Sequence, residues 1–131
     1  MMRKQCCLLA LQAELFSKLS GSLGCGVYDV PPDGAAYPYV SIGEDDASDA
    51  GTKNSHGDEV TCLFHIWSRS AGFMEAKTIM ADIVGILTAV SFSVPGFQVA
   101  MMRVIYRNVS NDPDGVTRHG VLWVGFQLFQ E

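Results

Sequence analysis

The chain has 131 residues, 48% of them hydrophobic, with a formal net charge of −5 and a pI near 5.0. That length fits a single domain, residues 1–131, with a core that buries roughly two-thirds of the unfolded surface, which excludes a disordered chain. The acidic balance argues against a dedicated nucleic-acid binder, whose affinity rests on Lys and Arg neutralising phosphates, but not against a pore that lets DNA slide past an acidic lining.

"MMRKQCCLLALQAELF" opens with two basic residues, but Gln12 and Glu14 interrupt the apolar run and no small-residue cleavage site follows. Leu8, Leu11, Leu15 and Leu19 fall instead at helical spacing, with Phe16 widening the stripe. A first amphipathic helix is expected from about residue 4 to Leu19, stopped by the glycines of "SGSLGCG". A short strand at Val27-Tyr28 follows, then a turn built on Pro31, Pro32, Asp33 and Gly34.

"YPYVSIGED" reads as a second strand, with Tyr39 and Ser41 on one face and Val40 and Ile42 on the other. Residues 44–58 are polar and acidic, so they form either a long loop or the tip of an extended hairpin. "EVTCLFHIWS" is the strongest strand. Val60, Cys62, Phe64 and Ile66 share one face, and Thr61, Leu63, His65 and Trp67 the other. Apolar groups on both faces predict a central position, covered by helices on one side and partly on the other.

A second amphipathic helix is expected in "SAGFMEAKTIMADIVGILTAV", with a stripe of Ile79, Ile83, Ile86, Leu87 and Val90 and a start capped by Ser70 or Gly72. Its apolar run is too short for a bilayer and contains Asp82, so no membrane span is read. Pro95-Gly96 turns the chain into "FQVAMMRVIYRNV", and the closing strand alternates Val121, Trp123 and Gly125 against Leu122, Val124, Phe126 and Leu128. Consecutive strands joined by turns pair antiparallel. The expected class is therefore α+β, a mostly antiparallel sheet with two amphipathic helices packed on one face.

The chemical candidates thin out quickly. No Ser sits in a GxSxG elbow, and Cys62 and His65, three apart on a strand, leave opposite faces. The spacing of His56, His65 and His119 does not bring them together as metal ligands. "DPDG" lacks the later ligands of a calcium loop, and "GSLGCG" lacks the Lys-Ser or Lys-Thr of a phosphate loop. Cys6, Cys7, Cys25 and Cys62 form no CxxC pair and read as small buried thiols in a reducing cytoplasm. The residues call for no cofactor, no metal and no catalytic group.

What remains is the turn Asp112-Pro113-Asp114-Gly115 running into Arg118 and His119. Pro113 fixes φ, Gly115 permits positive φ and Asp112 can bond back to its own turn, which places Arg118 and His119 reproducibly. Arg118 is expected to clamp a carboxylate, either Asp112 or Asp114 or an acid on a neighbouring chain. Such a corner suits an assembly contact. The acidic cluster Glu44, Asp45, Asp46 and Asp49 is either a solvated loop or a charge-complementary contact.

"YPYVSIGEDDASDAGTKNSHGDE", "FHIWSRSAGFMEAKTIMADIVGIL" and "DPDGVTRHGVLWVGF" together resemble the tail-completion, or tail-terminator, family of long-tailed phages, prophages and gene transfer agents. The resemblance covers nearly the whole chain and departs from the family at the Cys6-Cys7 pair and in a shorter turn after the first helix. It implies a structural protein that forms a homo-oligomeric ring, usually a hexamer, at the head-proximal end of the tail tube. The ring stops tube polymerisation, offers a surface to the neck or head-completion protein and lets DNA through its centre. The chain would assemble in the cytoplasm and then become part of the particle.

On that resemblance the assembly interface is expected among Glu44, Asp45, Asp46, Asp49, Lys53, His56, Arg69, Arg107, Asp112, Asp114, Arg118 and His119. Two alternatives stay open, a neck adaptor on the capsid side and, more distantly, a small cytoplasmic α+β enzyme.

Overall fold

Two periodicities, about 3.6 in the helices and 2 in the strands, place one apolar surface on every element, and these surfaces meet in a single core. The structure, a computed structural model, describes residues 6–89 and 92–131. Helix α1 (Cys7–Ser22) buries Cys7, Leu11, Leu15 and Leu19, a stripe of one residue per turn. Phe16 was expected to widen it but is 46% exposed. The expected start at residue 4 lies outside the described residues. The helix also runs a turn beyond Leu19: the Leu23 amide bonds the Leu19 carbonyl, and this closing turn returns the Leu23 side chain to the core.

Strands β1 (Gly26–Tyr28), β2 (Tyr39–Asp49) and β3 (Gly57–Ser68) follow, then α2 (Met74–Thr88), β4 (Phe97–Asn111) and β5 (Arg118–Gln130). They form one five-stranded sheet of order β1-β2-β3-β5-β4. Among the described residues, all pairings are antiparallel except one. β1 runs parallel to β2, matching Gly26–Tyr28 with Tyr39–Ser41, because the ten-residue connection through Pro31 and Pro32 is long enough to carry the chain back before β2 begins. The chain is thus α+β with a mostly antiparallel sheet.

Both helices lie on the face that carries Val60, Cys62, Phe64 and Ile66 of β3 and Leu122, Val124, Phe126 and Leu128 of β5, all buried. In α2 the buried residues are Ala76, Ile79, Met80, Ile83 and Leu87, with Ile86 only partly buried; Val90 lies outside the described residues. Neither Ser70 nor Gly72 caps α2. The N-cap is Phe73, without a side-chain cap bond. Gly72 instead takes a φ of 82°, a left-handed turn that favours glycine, and the buried Ser68 hydroxyl donates to Glu75 Oε1 at 2.7 Å. That bond ties the end of β3 to the first turn of the helix.

Among the described residues, no helix lies on the other face of the sheet. Its rows read straight from the register: Tyr39, Trp67, His119 and Ser110 across four strands, and Asp46, Thr61, Gly125 and Arg103 further along. A bulge between Ile42 and Asp45 swings Asp45 toward the core side, opposite Cys62. Burial, then the neighbouring Asp46, raises the Asp45 carboxyl, and burial above all pushes the Cys62 thiol up to about 12. Cys62 and Cys7, whose thiol is raised to about 11, are buried and protonated at neutral pH, but against the expectation of four buried thiols Cys6 is exposed and Cys25 half-buried.

Residues 44–49 therefore continue β2 and residues 57–58 begin β3. Only residues 50–56 form the tip, closed by the Thr52–Ser55 bridge and by the Asp49 carboxylate accepting the Gly51 amide at 2.9 Å.

Candidate functional site

The β4–β5 turn is built by Asp114. Its Oδ1 accepts the Val116 and Thr117 amides at 2.8 Å each, and its Oδ2 accepts the Thr117 hydroxyl at 2.7 Å. These bonds, the Thr117 amide first, hold the carboxyl down at about 2. The sequence assigned the bond back to the turn to Asp112. Asp112 does close the turn through its backbone, but its carboxylate faces His119 Nδ1 at 3.6 Å. Position decides between them, since only Asp114 stands two and three residues before the free amides. Gly115, at φ 71°, supplies the left-handed residue.

Replacing Asp114 with Ala is expected to speed amide exchange at Val116 and Thr117 markedly while β3 exchange stays unchanged. Because the folded carboxyl is depressed, its contribution is present above about 3.8 and is lost as pH falls from there toward about 2. Unaltered exchange at both amides would contradict this role.

Two arginines brace the same corner. Arg69 Nε donates to Thr117 Oγ1 at 3.2 Å, and its guanidinium lies 4.3 Å from the Tyr37 ring centroid. Arg118, expected to clamp Asp112 or Asp114, does neither among the described residues. It donates to Asn111 Oδ1 at 2.8 Å and to the Gly72 and Gly115 carbonyls, and it covers Phe73. The reason is again geometric: Asp114 is already saturated by the turn and Asp112 lies beside His119. Arg118 thus fastens the turn to the loop before α2.

The spacing of the histidines suggested that they stay apart. The register overturns this for two of them. Trp67 lies opposite His119 and His65 opposite Val121, so His65 and His119 are diagonal neighbours on the uncovered face. His65 Nδ1 is 2.9 Å from His119 Nε2, and His119 stacks on Trp67 with ring centroids 4.0 Å apart at 7°. Glu44 Oε2 is 3.9 Å from His65 Nε2. Burial, then His65, lowers the His119 imidazole, while Asp112 opposes the shift. His56 is at the β2–β3 tip, near the opposite end of β3. Among the described residues, no group of three or more His, Cys, Asp or Glu converges to hold a metal.

The structure thus gathers Arg69, Asp112, Asp114, Arg118 and His119 at one corner, with Glu44 joined through His65. Asp46, Asp49, Lys53 and His56 lie along the β2–β3 hairpin, Asp45 is turned toward the core, and Arg107 lies on β4 opposite Leu122. Sequence reasoning missed Arg103, also on β4, and the aromatic ribbon Tyr28, Tyr37, Tyr39 and Trp67 that leads to His119. Alternation placed Trp67 and His65 on one face; their meeting with His119 needed the register.

The two outer edges of the sheet differ. β1 covers only Tyr39–Ser41 of β2, so the rest of that edge has no strand partner among the described residues. β2 carries Glu44, Asp45, Asp46 and Asp49 with no base. β4, the opposite edge, carries Arg103 and Arg107 with no acid, and Met101, Ile105 and Tyr106 are exposed there.

Among known proteins, the family model described as tail completion protein gp17 matches residues 10–126. Tail completion protein gp17 of Bacillus phage SPP1 is 32% identical over 102 residues, which span 78% of this chain and 75% of that protein. The solved structure of the bacteriophage SPP1 gp17 protein superimposes with a TM-score of 0.63 at 29% identity, covering 90% of this chain and 88% of the other. A chain from the virion of a native gene transfer agent particle shares the fold at a TM-score of 0.81 and 22% identity, covering 96% of this chain and 99% of that one.

Proposed function

The chain belongs to the tail completion protein gp17 family, as a structural protein and not an enzyme, and from that premise we propose that copies of it close into a ring on the head-proximal end of a tail tube. The ring stops the tube growing, offers its other side to the neck or head-completion protein and lets DNA pass without sequence-specific contacts. The protein ends as a component of a phage or gene-transfer-agent particle. Among the described residues, no helix is long and apolar enough to cross a membrane.

The observation that carries this proposal is the pair of unlike strand edges. A closed ring needs two different patches on each copy, one meeting the other around a rotation axis. The acidic β2 edge and the arginine-bearing β4 edge stand at opposite sides of one sheet and complement each other in charge. Within one chain, Asp49 and Asp58 face each other across β2 and β3, a like-charge pair that favours a cation from outside. On β4, Met101, Ile105 and Tyr106 provide the apolar area that an interface core uses. Lys53 and His56 at the hairpin tip, and the corner of Arg69, Asp112, Asp114, Arg118 and His119, would then border the contact or face the tube.

Electron micrographs of the purified chain at high concentration test the ring. Closed rings are expected; a two-fold dimer as the sole assembly would overturn the head-to-tail contact.

A further inference from the structure

Glu44, His65, His119 and Asp112 form a continuous polar chain across β2, β3, β5 and the β4–β5 turn, and turn building leaves it unexplained. The central contact, His65 Nδ1 to His119 Nε2 at 2.9 Å, requires one nitrogen to donate and the other to accept. The outer nitrogens face carboxylates, Glu44 Oε2 at 3.9 Å and Asp112 Oδ1 at 3.6 Å. A neutral pair carries two protons on four nitrogens. One proton sits in the central bond, so one outer nitrogen must turn its lone pair toward a carboxylate. With a third proton both outer nitrogens carry N–H groups beside carboxylates, an electrostatic contact longer than a hydrogen bond, and the central bond persists. A fourth proton puts a donor against a donor and breaks it.

We propose that the His65–His119 pair is a single-proton latch between β3 and β5, fastened while the pair holds no more than one proton beyond neutrality and released when it takes a second. The groups facing it are Glu44, Ser41 and Tyr39 from β2, Trp67 on β3, Asn108 and Ser110 from β4, Val121 on β5 and Asp112 from the turn. Of these only Glu44 and Asp112 carry charge near neutral pH. Both are anionic, so they favour the first proton; Glu44 is 82% exposed and therefore heavily screened. The second proton meets a cation within hydrogen-bonding distance, in a site where both rings are about four-fifths buried.

Release has a place to be felt. Gly43 packs so close to His65 that an added Cβ would lie 2.8 Å from its Cδ2, and Trp67 covers one face of His119, so separation of the two rings disturbs that stack. Trp67 then loses its stacked partner. The latch is a property of the single chain and stands whether or not a ring forms. The link contributes at neutral pH and is lost as pH falls, because burial and then the neighbouring His65 lower the His119 imidazole, so the folded chain resists a proton there that the unfolded chain accepts freely.

The test is a proton NMR titration of the imidazole C–H signals in the full chain, with Trp67 emission followed in a Trp123→Phe background. Two separated steps are expected for the wild-type pair, with the emission change tracking the lower one. His65→Gln should move the His119 step upward in pH, and Asp112→Asn should move it downward. The proposal is overturned if His65 and His119 titrate independently with a common midpoint. It is equally overturned if His65→Gln leaves the His119 step where it was, or if Trp67 emission stays flat through the lower step.

Discussion

Reversing both β4 arginines, Arg103→Glu with Arg107→Glu, is expected to abolish ring formation while leaving the single chain folded. The two side chains stand on an edge strand, exposed and without an ion-pair partner among the described residues, so their loss removes little from the monomer. Exposed surface changes of this kind stay within about 0.5 kcal/mol. Across the proposed contact the effect is larger. New glutamates would face Glu44, Asp46 and Asp49, and like-charge juxtaposition at an interface costs several kcal/mol. Even about 1.4 kcal/mol per contact weakens association tenfold, and a ring multiplies that over all its contacts. Sedimentation near physiological salt, where charges are screened over about 8 Å, should show monomer for the variant. Wild-type mass for the variant would exclude β4 from the contact.

Phe64→Ala should destabilise the chain by about 3–5 kcal/mol, a large part of the 5–15 kcal/mol available to a typical domain. Phe64 is fully buried at the middle of the central strand, opposite Ile42 on one side and Leu122 on the other. Removing the ring leaves a cavity that these β-branched and γ-branched neighbours fill poorly. Phe16→Ala is the matched control. Phe16 lies on the exposed side of α1, and its loss should cost within about 0.5 kcal/mol. Urea unfolding followed by circular dichroism compares the two, and equal midpoints would contradict the assigned core.

The elements and the covered face were legible because alternation in "EVTCLFHIWS" and in the closing strand is strict. The inward set Val60, Cys62, Phe64 and Ile66 is the buried set. Gly96 and Gly115 marked turns for the same local reason, since both take positive φ. Strand order was beyond local pattern. Nothing near β5 says that it inserts between β3 and β4, or that β1 runs parallel to β2.

The site suffered from the same gap. The meeting of His65 with His119 is a consequence of strand register between residues 54 positions apart in the chain. The local clamp of Arg118 on Asp112 or Asp114 failed for a different reason. Sequence proximity offered it two carboxylates, but the turn had already consumed one and His119 faced the other, which left a neutral side chain and two carbonyls. Arg103 was overlooked because it stands in an apolar strand where only the bulges at Val99/Met101 and Val104/Tyr106 reveal which face it takes.

The most direct test of the capping role is the length distribution of tails in particles assembled without this chain, measured by electron microscopy. Overlong tails detached from filled heads are predicted, with normal length and attachment restored by the wild-type chain but not by the double arginine reversal. Tails of ordinary length, joined to heads in the chain's absence, would contradict it.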